Sequence, residues 1–267
     1  LLYGAIYETK SVNSKDEVVV FVHGMGPGHC AYMTEIAYFC NHGYNVIAVD
    51  SLGCGGSQGK NMHGMFEGVQ SAVATIDFAK KQFAGKKIYL IGHSWGGYSS
   101  LCASKLRKVD KVVAISAPSS PSRTIQGGAA PIMGKALASI LRPFWWCINL
   151  FKFGAKGNMN AAKSAERNDT PTLLIHGDND GIVSKKNEAF YKANGGNIEK
   201  YLAKGKAHNP YNTVEAEKKL AELSYNLSQS SKMTEEERQA YFTNFDYAAA
   251  TEEDNEVMGK ILSFLEE

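Results

Sequence analysis

Five short stretches of the chain are apolar at nearly every position, not at every second one: Val18–Val22, Tyr44–Val49, Ile88–Ile91, Lys111–Ser116 and Thr172–Ile175. Strands covered on both faces read this way, so these stretches predict the interior of a mostly parallel sheet. Leu1–Thr9 and Ile198–Leu202 are further strand candidates. Between them the apolar residues shift to helical spacing. Ala31–His42 and Met65–Phe83 (with Phe66, Val69, Val73, Ile76 and Ala79) predict helices. So do Glu215–Leu227, Glu235–Phe242 and Glu253–Leu265, the last two with acidic first turns that suit the helix dipole. Strands and helices in this alternation imply right-handed crossovers and a doubly wound α/β sheet, in which function collects at the carboxyl ends of the strands.

Two segments interrupt the rhythm. Residues 119–168 carry Pro121, Gly127, Gly128 and Pro131, and then a strongly apolar run, Leu137–Phe153. Lying between two strands on the carboxyl side, they are expected to form an inserted helical cap over the site, with Phe144, Trp145 and Trp146 lining the substrate pocket. The plainer alternative is a helix pair packed on the sheet face, and another is an interfacial segment in transient contact with lipid. Residues 212–252 form an expected second helical insertion before the final helix. No repeat or linker divides the chain, so 1–267 reads as one domain.

Bulk composition narrows the function classes. A length of 267 residues with 44% hydrophobic and 21% charged residues is ordinary globular material. The net charge of +2 and the lack of basic runs interleaved with aromatics exclude a nucleic-acid partner from the expectations. No run reaches the roughly 18 apolar residues of a membrane span. Cys30, Cys40, Cys54, Cys102 and Cys147 are odd in number and loosely spaced, which implies neither a disulfide framework nor a zinc site. They favour a reducing compartment. The chain starts at Leu1 without Met, as after trimming of a leader, and a cytoplasmic location is the expectation. No metal or cofactor is expected, and nothing indicates an oligomeric state.

Candidate chemistry centres on Lys87–Gly97, an apolar strand running into Gly92-His93-Ser94-Trp95-Gly96-Gly97 and then directly into a helix. Glycines two residues either side of Ser94 let strand and helix cross closely, and the strained turn presents the hydroxyl. Gly-x-Ser-x-Gly alone is weak in a chain with 26 glycines. A serine nucleophile also needs a base, and the base a carboxylate to orient it. In this kind of fold the order along the chain is serine, acid, histidine. Only His176 and His208 follow Ser94. His176 ends a strand ahead of the plausible acids, so the loop residue His208 is the candidate base. Asp178 and Asp180 follow the strand ending near His176 and face the correct edge; order and edge do not separate them. The oxyanion donors are expected to be the backbone amides of Trp95 and Met25. His23 and His93 are expected to serve structure, not chemistry.

Together, His23-Gly24-Met25-Gly26, Asp50–Ser57, Gly92–Gly97, His176–Val183 and His208 resemble the α/β-hydrolase superfamily, particularly its serine esterase, monoacylglycerol-lipase-like and serine-aminopeptidase-like members. The resemblance runs from Val18 to Pro210. It implies that the acid is Asp180, matching the second aspartate of Gly-Asp-x-Asp-x-x-Val. The implied activity is cleavage of a small carboxylic ester through an acyl-enzyme. A small-substrate peptidase or amidase is the alternative, and a binding protein on the same fold is a third. Two departures stand out. The Asp50–Ser57 loop lacks the family's arginine and has Cys54 where histidine is common, and about forty additional residues separate His208 from the final helix.

Overall fold

A computed structural model describes residues 1–26 and 28–267; Pro27, in the glycine-rich loop, lies outside the described residues. The chain runs β1 (Gly4–Tyr7), β2 (Glu17–Val22), α1 (Met33–Asn41), β3 (Asn45–Val49), α2 (Phe66–Gln82), β4 (Lys87–His93) and α3 (Trp95–Leu106). It continues through β5 (Lys111–Ile115), α4 (Pro121–Met133), α5 (Lys135–Ile140), α6 (Arg142–Phe153), α7 (Ala161–Glu166), β6 (Thr172–Gly177), α8 (Ala189–Lys192) and β7 (Ile198–Ala203). The helices α9 (Val214–Gln229), α10 (Glu235–Asn244), α11 (Tyr247–Ala250) and α12 (Asn255–Glu266) complete it.

The seven strands form one sheet in the order β1-β3-β2-β4-β5-β6-β7. Every neighbouring pair is parallel except the edge pair β1 and β3. The continuous apolar reading of the inner strands follows directly from the layers above and below them. On β2, Val18, Val20 and Val22 join one core with Val69 and Ile76 of α2 and Leu101 of α3. The alternate residues Val19 and Phe21 join a second core with Ile36 and Phe39 of α1 and Val257, Ile261 and Phe264 of α12. A strand covered by helices on both faces has no polar side to display. The final helix is therefore a structural layer of the sheet. Full burial of each large apolar side chain on it is worth about 1.5–3 kcal/mol.

Both interruptions are helical. Between β5 and β6 the chain forms α4 to α7, and between β7 and α12 it forms α9 to α11. The first begins where β5 delivers the chain to the carboxyl edge, and α4, α5 and α6 pack on one another there. Among the described residues no helix is long and apolar enough to cross a membrane.

Candidate active site

Four of the parallel strands, β2, β4, β6 and β7, run their carboxyl ends into the loops that build the site. At the end of β4 the backbone turns so sharply that Ser94 adopts φ 54° and ψ −117°, a left-handed conformation that is unusual for a residue with a side chain. Crowding on either side holds it there. A Cβ on Gly96 would lie 2.0 Å from the carbonyl oxygen of Val22, and one on Gly92 would lie 2.4 Å from that of Gly96. Only glycine permits β2, β4 and α3 to meet so closely, and the outcome is a half-buried Ser94 hydroxyl facing the cavity.

The loop after β7 brings His208 onto this hydroxyl. Its Nε2 lies 2.9 Å from Ser94 Oγ and its Nδ1 lies 2.8 Å from Asp180 Oδ2. An ionised carboxylate only accepts, so Nδ1–H donates to Asp180 and Nε2 is left to accept from Ser94. Asp180 sits in the turn after β6 with its side chain fully buried. Burial by itself would raise its pKa. The His208 hydrogen bond and charge, together with the amides of Val183 and Ile182 that donate to Oδ1, outweigh burial and hold it below the usual carboxylate range. The neighbouring candidate acid is engaged elsewhere: Asp178 Oδ1 accepts from the amide of Gly205, bracing the β7 turn.

The histidines set aside as structural have defined tasks. Buried His93 donates from Nε2 to the backbone carbonyl of His208 at 3.0 Å. Its Nδ1 accepts from the Tyr32 hydroxyl at 2.8 Å, and that hydroxyl accepts from the amide of Gly24 at 3.0 Å. Burial, reinforced by the adjacent His208, lowers the His93 pKa to about 3, so the ring is neutral and keeps this single donor–acceptor pattern. The backbone of His208 is thereby tied to the loop carrying Met25. His23 accepts from the amide of Ser51 at Nε2 and donates to the Gly24 carbonyl from Nδ1, joining the Gly24 turn to the β3 loop. Sequence reasoning missed Tyr32, and no local pattern marks it, because its partner lies 61 residues away.

Met25 and Trp95 both line the cavity with Ser94 and His208. Trp95 is the first residue of α3, where a backbone N–H has no intrahelical acceptor. The cavity has a volume of about 590 Å³. Its outer wall is built by α4, through Arg123, Thr124, Gly127, Gly128 and Pro131, and faces Ile182 and Val183. The expected aromatic lining is corrected here: Phe144, Trp145 and Trp146 do not border this cavity, and Phe144 and Trp146 are exposed on α6. The apolar run that contains them turns much of its surface outward, and the glycine-rich α4 approaches the site.

One further cluster adjoins the acid. Ligand atoms of His176, Asp180 and Glu188 lie within 4.8 Å of one another, the arrangement that could hold a metal ion. Asp180 is committed to His208 and two amides. Glu188 is fully buried, and neither of its oxygens has a hydrogen-bond partner among the described residues. Burial and then the charge of Asp180 push its pKa well above the ordinary carboxylate range, which favours its neutral form.

Residues 13–150 match the model of the serine aminopeptidase S33 family, just over half of the chain. The chain belongs to that family. A proline iminopeptidase of Saccharolobus solfataricus is 31% identical over 97 residues, which is 36% of this chain. The aligned part spans only 30% of that relative's own length. The α/β-hydrolase fold is shared with solved structures. A monoacylglycerol lipase of Paleococcus ferrophilus has a TM-score of 0.57 at 24% identity, covering 85% of this chain and 99% of that one. An esterase of Pyrococcus furiosus has 0.59 at 21%, covering 86% and 91%. At these identities the structural likeness speaks for the fold alone.

Proposed function

We propose that this member of a hydrolase family cleaves carboxylic esters through an acyl-enzyme formed on Ser94. His208 Nε2 takes the proton of the Ser94 hydroxyl as Oγ attacks the acyl carbon, and Asp180 orients the ring and offsets the imidazolium charge that develops. The amides of Trp95 and Met25 receive the oxyanion, a contribution worth about two to three orders of magnitude per donor. His208 returns its proton to the departing alcohol, then activates water to release the acid. Helix α4 roofs the cavity as part of a cap.

The observation that favours an ester over an aminopeptide substrate is the character of the cavity wall. Recognition of a free α-ammonium calls for a carboxylate near the nucleophile. Among the described residues no Asp or Glu lines the cavity, and the charged side chain in its wall is the cation Arg123. Glu166, the acid at the end of α7, instead accepts from the amide of Asn194 at 3.0 Å. A cationic, acid-free wall repels an amino terminus and accepts a neutral or anionic acyl group.

A panel of p-nitrophenyl esters of graded acyl length, set against aminoacyl p-nitroanilides, tests this. Ester kcat/KM should exceed amide kcat/KM by several orders of magnitude, with Ser94→Ala as the blank. Faster turnover of aminoacyl anilides than of every ester would overturn the ester assignment. A folded protein that takes no fluorophosphonate on Ser94 would overturn the hydrolase assignment itself.

A further inference from the structure

The α4–α6 segment is unlike the rest of the molecule in two independent ways. The first is charge. Between Ser119 and Ala165 there are six basic residues, Arg123, Lys135, Arg142, Lys152, Lys156 and Lys163, and no Asp or Glu. The whole chain has 29 basic and 27 acidic residues, so subtracting six leaves 23 against 27 and a remainder with net charge −4. All of the six are at least partly exposed. The second is apolar exposure. Phe151 is 98% exposed, Ile132 87% and Ile140 73%, with Phe144, Trp146 and Ile148 also exposed. Across α4, α5 and α6 very few side chains are fully buried, Ala138 and Asn149 being two of them. Apolar surface concentrated to this degree marks a contact face.

We propose that α4–α6 is a docking face for an anionic lipid bilayer, into which its apolar side chains insert while its lysines and arginines meet the head groups. Charge selects this occupant. A second copy of the chain would set the Lys135, Arg142 and Lys152 charges against their own kind, with no acidic residue on α4–α6 to offset them, which opposes a symmetric dimer through this face. An anionic lipid surface complements it, and exposed Trp and Phe beside Lys and Arg are the side chains that settle at a membrane interface. No deep insertion is required, because the helices lie as short amphipathic elements of 13, 6 and 12 residues.

Position gives the docking a purpose, resting here on the ester-hydrolase reading. Pro131 lines the cavity, and the next residue, Ile132, is almost fully exposed. Ile182, 73% exposed, lines the same cavity from the loop after β6. The face that would meet lipid is therefore continuous with the wall of the cavity holding Ser94. The substrate class that follows is an ester with an acyl chain long enough to partition into a bilayer, delivered from the membrane surface.

Flotation with vesicles of phosphatidylcholine alone, and of phosphatidylcholine with about one third phosphatidylglycerol, tests the docking. Each basic residue close to an anionic surface strengthens binding about fivefold. Wild type should bind the anionic vesicles at least tenfold more tightly than the neutral ones, and weaken as salt shortens the Debye length. Lys135→Glu with Lys152→Glu should weaken anionic binding roughly 25-fold or more. Ile132→Glu with Phe151→Glu, both at exposed positions, should weaken binding to either vesicle. Equal binding to both compositions, no binding to either, or a dimer in sedimentation that Phe151→Glu dissolves would each overturn the proposal. Ser94→Ala separates the two readings: it should bind vesicles like wild type while losing ester turnover. Vesicle binding by a protein with no esterase activity would sink the enzyme assignment alone.

Discussion

Replacing Glu188 by Gln should stabilise the protein, and by an amount that depends on pH. In the folded chain Glu188 is 0% exposed, and its Oε1 lies 3.4 Å from His176 Nδ1 without a hydrogen bond. Burial first, and then the charge of Asp180, pushes its pKa well above the ordinary 4.5. The folded state therefore holds a proton that the unfolded state releases above pH 4.5, so stability is lost as pH rises from that point. At pH 7 the unfolded side chain is about 2.5 units past its pKa, so at 1.36 kcal/mol per unit the cost of keeping the proton has a ceiling of about 3 kcal/mol. At pH 5 the same cost is about 1 kcal/mol or less. Gln has nearly the same shape, is neutral in both states and leaves the same lack of partners, so it removes mainly the ionisation cost. Urea unfolding of wild type and Glu188→Gln at pH 5 and pH 7 reads the difference directly. The expected gain is larger at pH 7, where its ceiling is about 3 kcal/mol, than at pH 5. A gain equal at both pH values, or a loss at pH 7, would refute a raised pKa at buried Glu188.

Tyr32→Phe removes the hydroxyl that accepts from Gly24 and donates to His93. It should cost about 1–3 kcal/mol of stability, since it leaves a buried His93 nitrogen unpaired, and thermal unfolding would show it. A lowered kcat with KM little changed would show that the network positions His208, and unchanged kinetics would show that it does not. Burial lifts the Glu35 pKa to about 7, and burial together with Glu35 lifts that of Glu253 to about 8. As raised carboxyl values these favour the folded state in acid, and the contribution is lost progressively as pH rises from the ordinary 4.5 through 7–8. Glu253 pairs through its backbone with Asn212, where the α9–α11 segment leaves and rejoins the body. Hydrogen exchange in α9–α11 should accelerate between pH 5 and pH 8 beyond the intrinsic base dependence, and Glu253→Gln should reduce that excess. An identical excess in the variant would place the sensitivity elsewhere.

Much of the sheet was readable because each inner strand solves a local problem. Val18–Val22 must satisfy a helical layer on both faces, and an unbroken run of apolar residues, here β-branched and aromatic, meets that demand. The turn at Ser94 was readable for a similar reason, since close backbone approach leaves a mark in glycine. The cavity wall was not. Leu137–Phe153 is apolar, but apolarity states that a surface avoids water and not which partner it meets. In the structure glycine-rich α4 reaches the cavity and much of the apolar α5–α6 surface faces away. Asp178 and Asp180 illustrate the same limit at atomic scale. Both are carboxylates in one turn, and only the direction of each side chain distinguishes the one on Gly205 from the one on His208.

The sequence by itself determined the sheet strands and many of the helices, which edge of the sheet collects the loops, and that Ser94 occupies that edge, because these follow from periodicity and glycine placement within a few residues. Only the tertiary structure decided which groups touch. The hydrogen bond from Ser94 to His208 spans 114 residues, and that from His208 to Asp180 spans 28. Contacts at such separations depend on strand register and helix packing, to which every buried side chain contributes, and no local stretch of chain contains that sum.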